Sequence, residues 1–192
     1  MVFKRPCRGM AAAVAVGLLC ATASALQPVA ALGLDGKPVD PLAASRGKIV
    51  VLVFVRTDCP ISNRYAPTLQ RLSSQYANQA TFYLVYPDRS ESVATIEKHL
   101  AQYSYKLSAL RDPRQSLVKL AQVKITPEAA VFDSQGVLAY HGRIDNWYEA
   151  FGRARPAPTT HDLDDAIKAL LNGGRPASSS TEAVGCYISD LE

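Results

Sequence analysis

The first eight residues contain no acid, and the apolar run that follows is too short to cross a bilayer comfortably. Lys4, Arg5 and Arg8 precede Met10–Ala23, which falls short of the roughly 20 residues a transmembrane helix needs. Ala23-Ser24-Ala25 then places small residues at −3 and −1 of a cut after Ala25. That order predicts a secretory signal over residues 1–25, with an uncleaved N-terminal anchor as the competing reading. Lipoprotein processing at Cys20 is disfavoured by Leu19, where a small residue belongs. Cysteine is scarce too. Cys7 and Cys20 leave with the signal, so only Cys59 and Cys186 remain, enough for one disulfide in an oxidising compartment. Excess charge is also lacking: the net charge of +4 falls to about +1 without the three basic residues of the leader, which gives no support for nucleic-acid binding. There is no internal repeat.

What is present is ordinary globular composition, 48% apolar and 20% charged, over a length suited to one domain. Residues 26–172 read as that domain and 173–192, with Pro176 and three consecutive serines, as a loose tail carrying Cys186; the stretch EAVGCYI around that cysteine is apolar, unlike the serine-rich run before it, and is a candidate to dock on the domain. Lys48–Val55 is a nearly continuous β-branched and aromatic run, the pattern of a strand buried on both faces. Tyr65, Leu69, Leu72 and Tyr76 then fall on one helical stripe, with Pro60 suited to a first turn and Pro67 expected as an internal kink. Further along come a strand at 81–86, a helix at about 92–103, a short strand at 107–110 and a helix opened by Asp112-Pro113 and running to about Gln122. A hairpin at 129–142 turns at Asp133–Gly136, and a last helix spans about 161–171. Strands alternating with helices, closed by a hairpin and a helix, predict an α/β fold whose central mixed sheet is flanked by helices.

Cys59 stands at the junction between the buried strand and the next helix. Free amides and the positive end of a helix stabilise a thiolate there, and the thiolate is the nucleophile. The competing reading is a small buried hydrophobe.

With KIVVLVFVRTDCP, Pro67 eight positions after Cys59, Thr126-Pro127 before the hairpin, and EAAVFDSQGVLAYHGRID, the chain resembles the thioredoxin-like superfamily. It is most similar to the redoxin branch, with alkyl hydroperoxide reductase and the periplasmic thiol–disulfide proteins, over about residues 28–172. The resemblance implies a cis Thr126–Pro127 bond beside the reactive cysteine, with Thr126 and Pro127 positioning a substrate segment by strand addition; a plain turn proline is the alternative. It also implies thiol or disulfide partners, protein or small-molecule, and an external thiol reductant. No cofactor, no nucleic acid and no membrane partner is expected, apart from the uncleaved-anchor case.

Four features depart from that family. Ser62 stands where a dithiol motif has its second cysteine, giving C-P-I-S. Asp58 replaces the usual tryptophan. Arg56 occupies the position of the threonine that peroxiredoxins use, which counts against efficient peroxidase activity. Asn63 removes the cysteine pair of the copper-delivery proteins. Arg56 and Arg143 are candidates for thiolate support, Arg143 equally a surface arginine. His99, His141 and His161 are scattered, although a soft site of Cys59, Cys186 and one histidine stays open. For Cys186 three arrangements stay open: a resolving thiol for Cys59, a permanent staple to it, or a link to another molecule. The leading expectation is a periplasmic or secreted thiol–disulfide oxidoreductase with Cys59 as nucleophile and Cys186 as partner; the alternatives are a thiol peroxidase and a redox-inactive or copper-binding module.

Overall fold

The computed structural model describes residues 1–2 and 31–189. Residues 3–25 of the expected signal, its cut after Ala25, and Cys7 and Cys20 lie outside the described residues. The described chain opens with β1 (Ala31–Gly33), β2 (Pro38–Val39) and a short helix α1 (Pro41–Ala44) capped by Asp40, and these lead into β3 (Ile49–Phe54). All six residues of β3 are buried, as its unbroken apolar run predicts. A short helix α2 (Pro60–Arg64) and a longer one α3 (Ala66–Gln75) follow, then β4 (Ala80–Tyr86), α4 (Val93–Gln102) and β5 (Ser108–Arg111). Beyond these come α5 (Ser116–Ala121), β6 (Ile125–Thr126), the hairpin β7 (Glu128–Phe132) and β8 (Leu138–Gly142), and a smaller hairpin β9 (Tyr148–Ala150) and β10 (Arg153–Ala154). The chain closes with α6 (Asp162–Leu171) and β11 (Cys186–Tyr187).

The main sheet runs β2-β1-β5-β4-β3-β7-β8. β3 is parallel to β4 and antiparallel to β7, with Val53 opposite both Leu84 and Ala129. Its side chains alternate between two cores, as strand geometry requires. Val51, Val53 and Val55 pack with Leu69 and Leu72 of α3, Ile96 of α4, and Leu163 and Ile167 of α6. Val50, Leu52 and Phe54 pack with Leu117 and Val118 of α5, Phe132, and Ile188 near the C-terminus. Burying each such side chain contributes about 1.5–3 kcal/mol, so β3 is held firmly from both faces. Its C-terminal end is therefore a fixed platform for whatever follows it.

Two local differences from the sequence expectation have physical causes. The stripe Tyr65, Leu69, Leu72 and Tyr76 is buried throughout, but the helix breaks at Tyr65. Pro67 falls in the first turn of α3, where its missing N–H is no loss, and so it begins a helix rather than kinking one. α5 starts four residues later than Asp112-Pro113 suggests. The buried Asp112 carboxylate is its cap, accepting from the amides of Ser116 (2.9 Å), Leu117 (2.8 Å) and Val118 (3.0 Å). The helix ends at Gln122, which has φ 58°, a left-handed conformation that costs a side-chain-bearing residue about 1 kcal/mol. Gln122→Gly is therefore expected to raise the unfolding free energy by about 0.5–1 kcal/mol in a urea titration.

The tail, loose in expectation from its serine- and proline-rich start, docks over residues 179–188, as the apolar stretch EAVGCYI around Cys186 allows. His141 donates its amide to the Ser179 carbonyl (3.0 Å), and the Thr181 amide donates to the His141 carbonyl (3.2 Å). The hydroxyls of Tyr140 and Thr181 are 2.6 Å apart. Ala183 and Ile188 are buried, and the Ile188 amide donates to the Lys124 carbonyl (3.0 Å). Two glycines make room for this path. A Cβ at Gly142 (φ 143°) would overlap Thr181, and one at Gly185 would overlap the Thr126 carbonyl.

Candidate active site: a cysteine pair at the end of the central strand

β3 delivers the chain to Cys59, which has extended backbone angles and sits immediately before Pro60 at the start of α2. Its carbonyl accepts from the Asn63 amide (3.1 Å), so the amides of the first turn gather around its side chain. Cys59 is almost fully buried, 1% exposed. As a thiol it donates to the Thr126 carbonyl at 3.2 Å.

Cys186 reaches the same point from the other end of the sequence. β11 pairs antiparallel with β6, Cys186 opposite Thr126 and Tyr187 opposite Ile125. The Thr126 hydroxyl donates to the Cys186 carbonyl at 3.2 Å. This register puts the Cys186 sulfur 2.6 Å from the Cys59 sulfur, across a sequence separation of 127. That distance is inside ordinary non-bonded contact and longer than a covalent S–S bond of about 2.05 Å; both cysteines are free thiols here.

The two thiols are unlike. Burial alone pushes Cys59 up, but donors outweigh it: the Cys186 thiol, the amide and hydroxyl of Ser62, and the amide of Ile61 together hold Cys59 below the ordinary thiol range. The Ser62 hydroxyl is buried and without a partner while Cys59 is neutral, which leaves it ready to donate to the sulfur once that becomes an anion. Cys186, half-buried, is pushed up to about 12, first by burial, then by its hydrogen bond to Cys59 and the charge beside it, against a smaller opposing pull from Arg56. The alkylation rate of Cys59 against pH is therefore expected to inflect below that of an unperturbed cysteine thiol. In Cys186→Ala and Ser62→Ala the inflection moves up, because each change removes a donor to the thiolate; an unmoved inflection in both contradicts this account.

Of the predicted site residues, Cys59, Cys186, Thr126 and Pro127 are brought together, and the Thr126–Pro127 peptide is cis. Thr126 engages the chain's own C-terminal segment rather than an open edge. Arg56 lies at the rim, bonded to Asp58 (3.0 Å), near Asp88 (3.4 Å), and making a long contact to the Tyr187 carbonyl (3.5 Å); its charge acts on Cys186. Arg143 is elsewhere engaged. It grips the Asp162 carboxylate with two hydrogen bonds of 2.9 and 3.0 Å, and its amide donates to Thr181 (3.2 Å). It anchors the tail, and among the described residues no hydrogen bond or ion pair joins it to either sulfur. His99 and His141 also have other partners. His99 bridges Tyr86 (2.9 Å) and Asn63 (2.8 Å) beneath α2, His141 faces Glu128 (3.4 Å), and His161 precedes α6. Among the described residues no group of three or more His, Cys, Asp or Glu side chains is placed to hold a metal.

Sequence reasoning missed Glu91. Its buried carboxylate accepts from the Thr57 amide at 2.7 Å while its other oxygen has no partner, and burial raises its pKa. It holds the turn before Cys59 in place. Nothing in its local sequence marks it, because the contact spans 34 positions.

Residues 23–141 match the model of the AhpC/TSA family. The chain belongs to that family. No curated protein matches it significantly. Among solved structures, an uncharacterized conserved protein from Geobacillus kaustophilus is similar with a TM-score of 0.72 and 22% identity, over 84% of this chain and 88% of that one. An exposed lipoprotein thioredoxin, Etrx1, from Streptococcus pneumoniae gives 0.55 and 22%, over 74% and 97%. A secreted Mycobacterium tuberculosis disulfide oxidoreductase homologous to E. coli DsbE gives 0.51 and 20%, over 75% and 94%. These likenesses establish the thioredoxin-like fold of this AhpC/TSA member, as its resemblance implies.

Proposed function

We propose that this AhpC/TSA member is an exported thiol–disulfide oxidoreductase in which Cys59 is the attacking thiol and Cys186 the resolving one. The observation that carries the reading is the 2.6 Å approach of the two sulfurs in a register fixed by β6 and β11. Cys59 as thiolate attacks one sulfur of a substrate disulfide, RS–SR′. A Cys59–S–S–R bond forms, and R′S⁻ leaves and takes up a proton. Cys186 then loses its proton and attacks the Cys59 sulfur, expelling RS⁻. The substrate has gained two electrons, and the protein holds a Cys59–Cys186 disulfide that an external dithiol reduces.

The asymmetry of the pair suits that order. Two of the effects that raise Cys186, its hydrogen bond to Cys59 and the charge on Cys59, vanish once Cys59 is in a mixed disulfide. Cys186 thus becomes a better nucleophile at the stage that needs it. Export is supported by the basic, apolar and small-residue order of residues 1–25, and relatives of this fold include a secreted oxidoreductase and an exposed lipoprotein. The test is catalytic reduction of a model disulfide with a dithiol donor. Wild type turns over; a wild-type rate equal to that of buffer with donor alone would sink the reading.

A further inference from the structure

The backbone edge of β6 beside Cys59 is filled. Cys186 and Tyr187 pair with Thr126 and Ile125, so an incoming extended peptide finds its place already taken by the chain itself. The occupying segment is fastened on both sides of Cys186. Before it, Thr181 is held by Tyr140 (2.6 Å), the Arg143 amide (3.2 Å) and the His141 carbonyl (3.2 Å), with Ala183 buried. After it, Ile188 is buried in the second core and its amide donates to Lys124, while the Gln115 side chain donates to the Ser189 carbonyl (2.8 Å). Gly185 allows this close pairing, since a Cβ there would overlap the Thr126 carbonyl. Between the two fastenings Cys186 is only half-buried. Local displacement of Cys186 leaves both anchors in place, whereas clearing β6 for a peptide breaks them.

Near the site, but not reaching the Cys59 sulfur, a cavity of about 210 Å³ lies along the residues that follow Cys59, lined by Pro60, Ile61, Arg64, Tyr148 and Phe151; Cys59 itself is reached only where the half-buried Cys186 moves aside. The cavity offers an apolar wall and one positive charge, with the Arg64 guanidinium over the Trp147 ring at 4.9 Å.

We infer that the segment 181–188 is the specificity element of the site: by occupying β6 it excludes extended peptide disulfides and leaves Cys59 to disulfides of low molecular weight. This inference rests on the proposed disulfide exchange at Cys59. In that exchange the small disulfide loses one half as a thiolate while the other half is held on Cys59 until Cys186 displaces it.

The experiment compares the second-order rate of Cys59 mixed-disulfide formation with glutathione disulfide and with a flexible ten-residue peptide disulfide, in full-length protein. Two variants each loosen one anchor, Thr181→Ala and Ile188→Ser, and folding of both is checked by circular dichroism. Wild type is expected to react faster with glutathione disulfide by roughly tenfold or more, and each folded variant to gain roughly tenfold towards the peptide with a smaller gain towards glutathione disulfide, because the competent open fraction rises. Equal rates of wild type with both disulfides, or equal gains towards both in the variants, would overturn the inference while leaving the exchange reaction standing. No reaction of Cys59 with either disulfide in any protein would instead overturn the reading on which it rests. Thr181 lies outside both cores, so its variant keeps the test decisive if Ile188→Ser does not fold.

Discussion

In Cys59→Ser, disulfide turnover is expected to fall by roughly 10³-fold or more, to the rate of the donor alone, because a serine hydroxyl is not ionised near neutral pH and forms no mixed disulfide with the substrate. Cys186→Ser should behave differently. Cys59 keeps the amides of Ile61 and Ser62 and the Ser62 hydroxyl as donors to its thiolate, so the first attack survives. The second does not, because no other thiol among the described residues stands near Cys59. The variant therefore releases one thiol per molecule in a single burst and accumulates as the Cys59 mixed disulfide. Steady turnover drops by a similar factor, but the burst remains. Mass measurement of the quenched reaction separates the two variants: Cys59→Ser carries no adduct, and Cys186→Ser carries one. A full catalytic rate in Cys186→Ser would mean that an external thiol resolves Cys59 and that the tail cysteine has another purpose.

The second large effect is on stability. A bond between Cys59 and Cys186 closes a loop of 127 residues, and in the chain-entropy account this lowers the freedom of the unfolded chain by an amount worth on the order of 5 kcal/mol. For a domain of this size, each kcal/mol moves Tm by about 2–4 °C, so the oxidised protein is expected to melt roughly 10–20 °C above the reduced one. The bond is formed at a site where the two sulfurs already meet, and this limits the rearrangement needed. Scanning calorimetry with and without a dithiol reads the difference. Cys186→Ser should melt like the reduced wild type under both conditions, and a redox-independent Tm in wild type would contradict the pairing.

How much of this was legible in the sequence depended on the range of the interaction. β3 announced itself because six consecutive buried residues leave an unbroken apolar run, and the stripe Tyr65, Leu69, Leu72 and Tyr76 because one helical face is buried. The placement of Cys59 followed from the strand-to-helix junction, and Thr126-Pro127 from the resemblance to the redoxins. The docking of the tail was legible in part: the apolar stretch EAVGCYI around Cys186, unlike the serine-rich run before it, marked a segment able to dock. Where it docks was not legible, because its backbone bonds go to β6 and β8 through amides and carbonyls that any sequence carries, while Ala183 and Ile188 are buried and Val184 and Cys186 pack against the first core. Gly185 directly before Cys186 was a further signal: it is the residue whose missing Cβ lets β11 lie against Thr126. Arg143 was undecided for a related reason. Its position after the hairpin suited thiolate support and a surface arginine equally, and the partner that settles its place, Asp162, lies nineteen positions away. Glu91 and Ser62 likewise gained their meaning only from neighbours brought close by the fold.

The central claim is that Cys59 and Cys186 are redox partners within one molecule. Intact and peptide mass spectrometry of the protein after oxidation by a small disulfide, with and without reductant, tests it most directly. The account predicts a monomer lighter by two hydrogens and a single cross-linked fragment joining the peptide of Cys59 to that of Cys186, both lost on reduction. Oxidised protein in which Cys186 is still free, or is joined to a second chain, would contradict it.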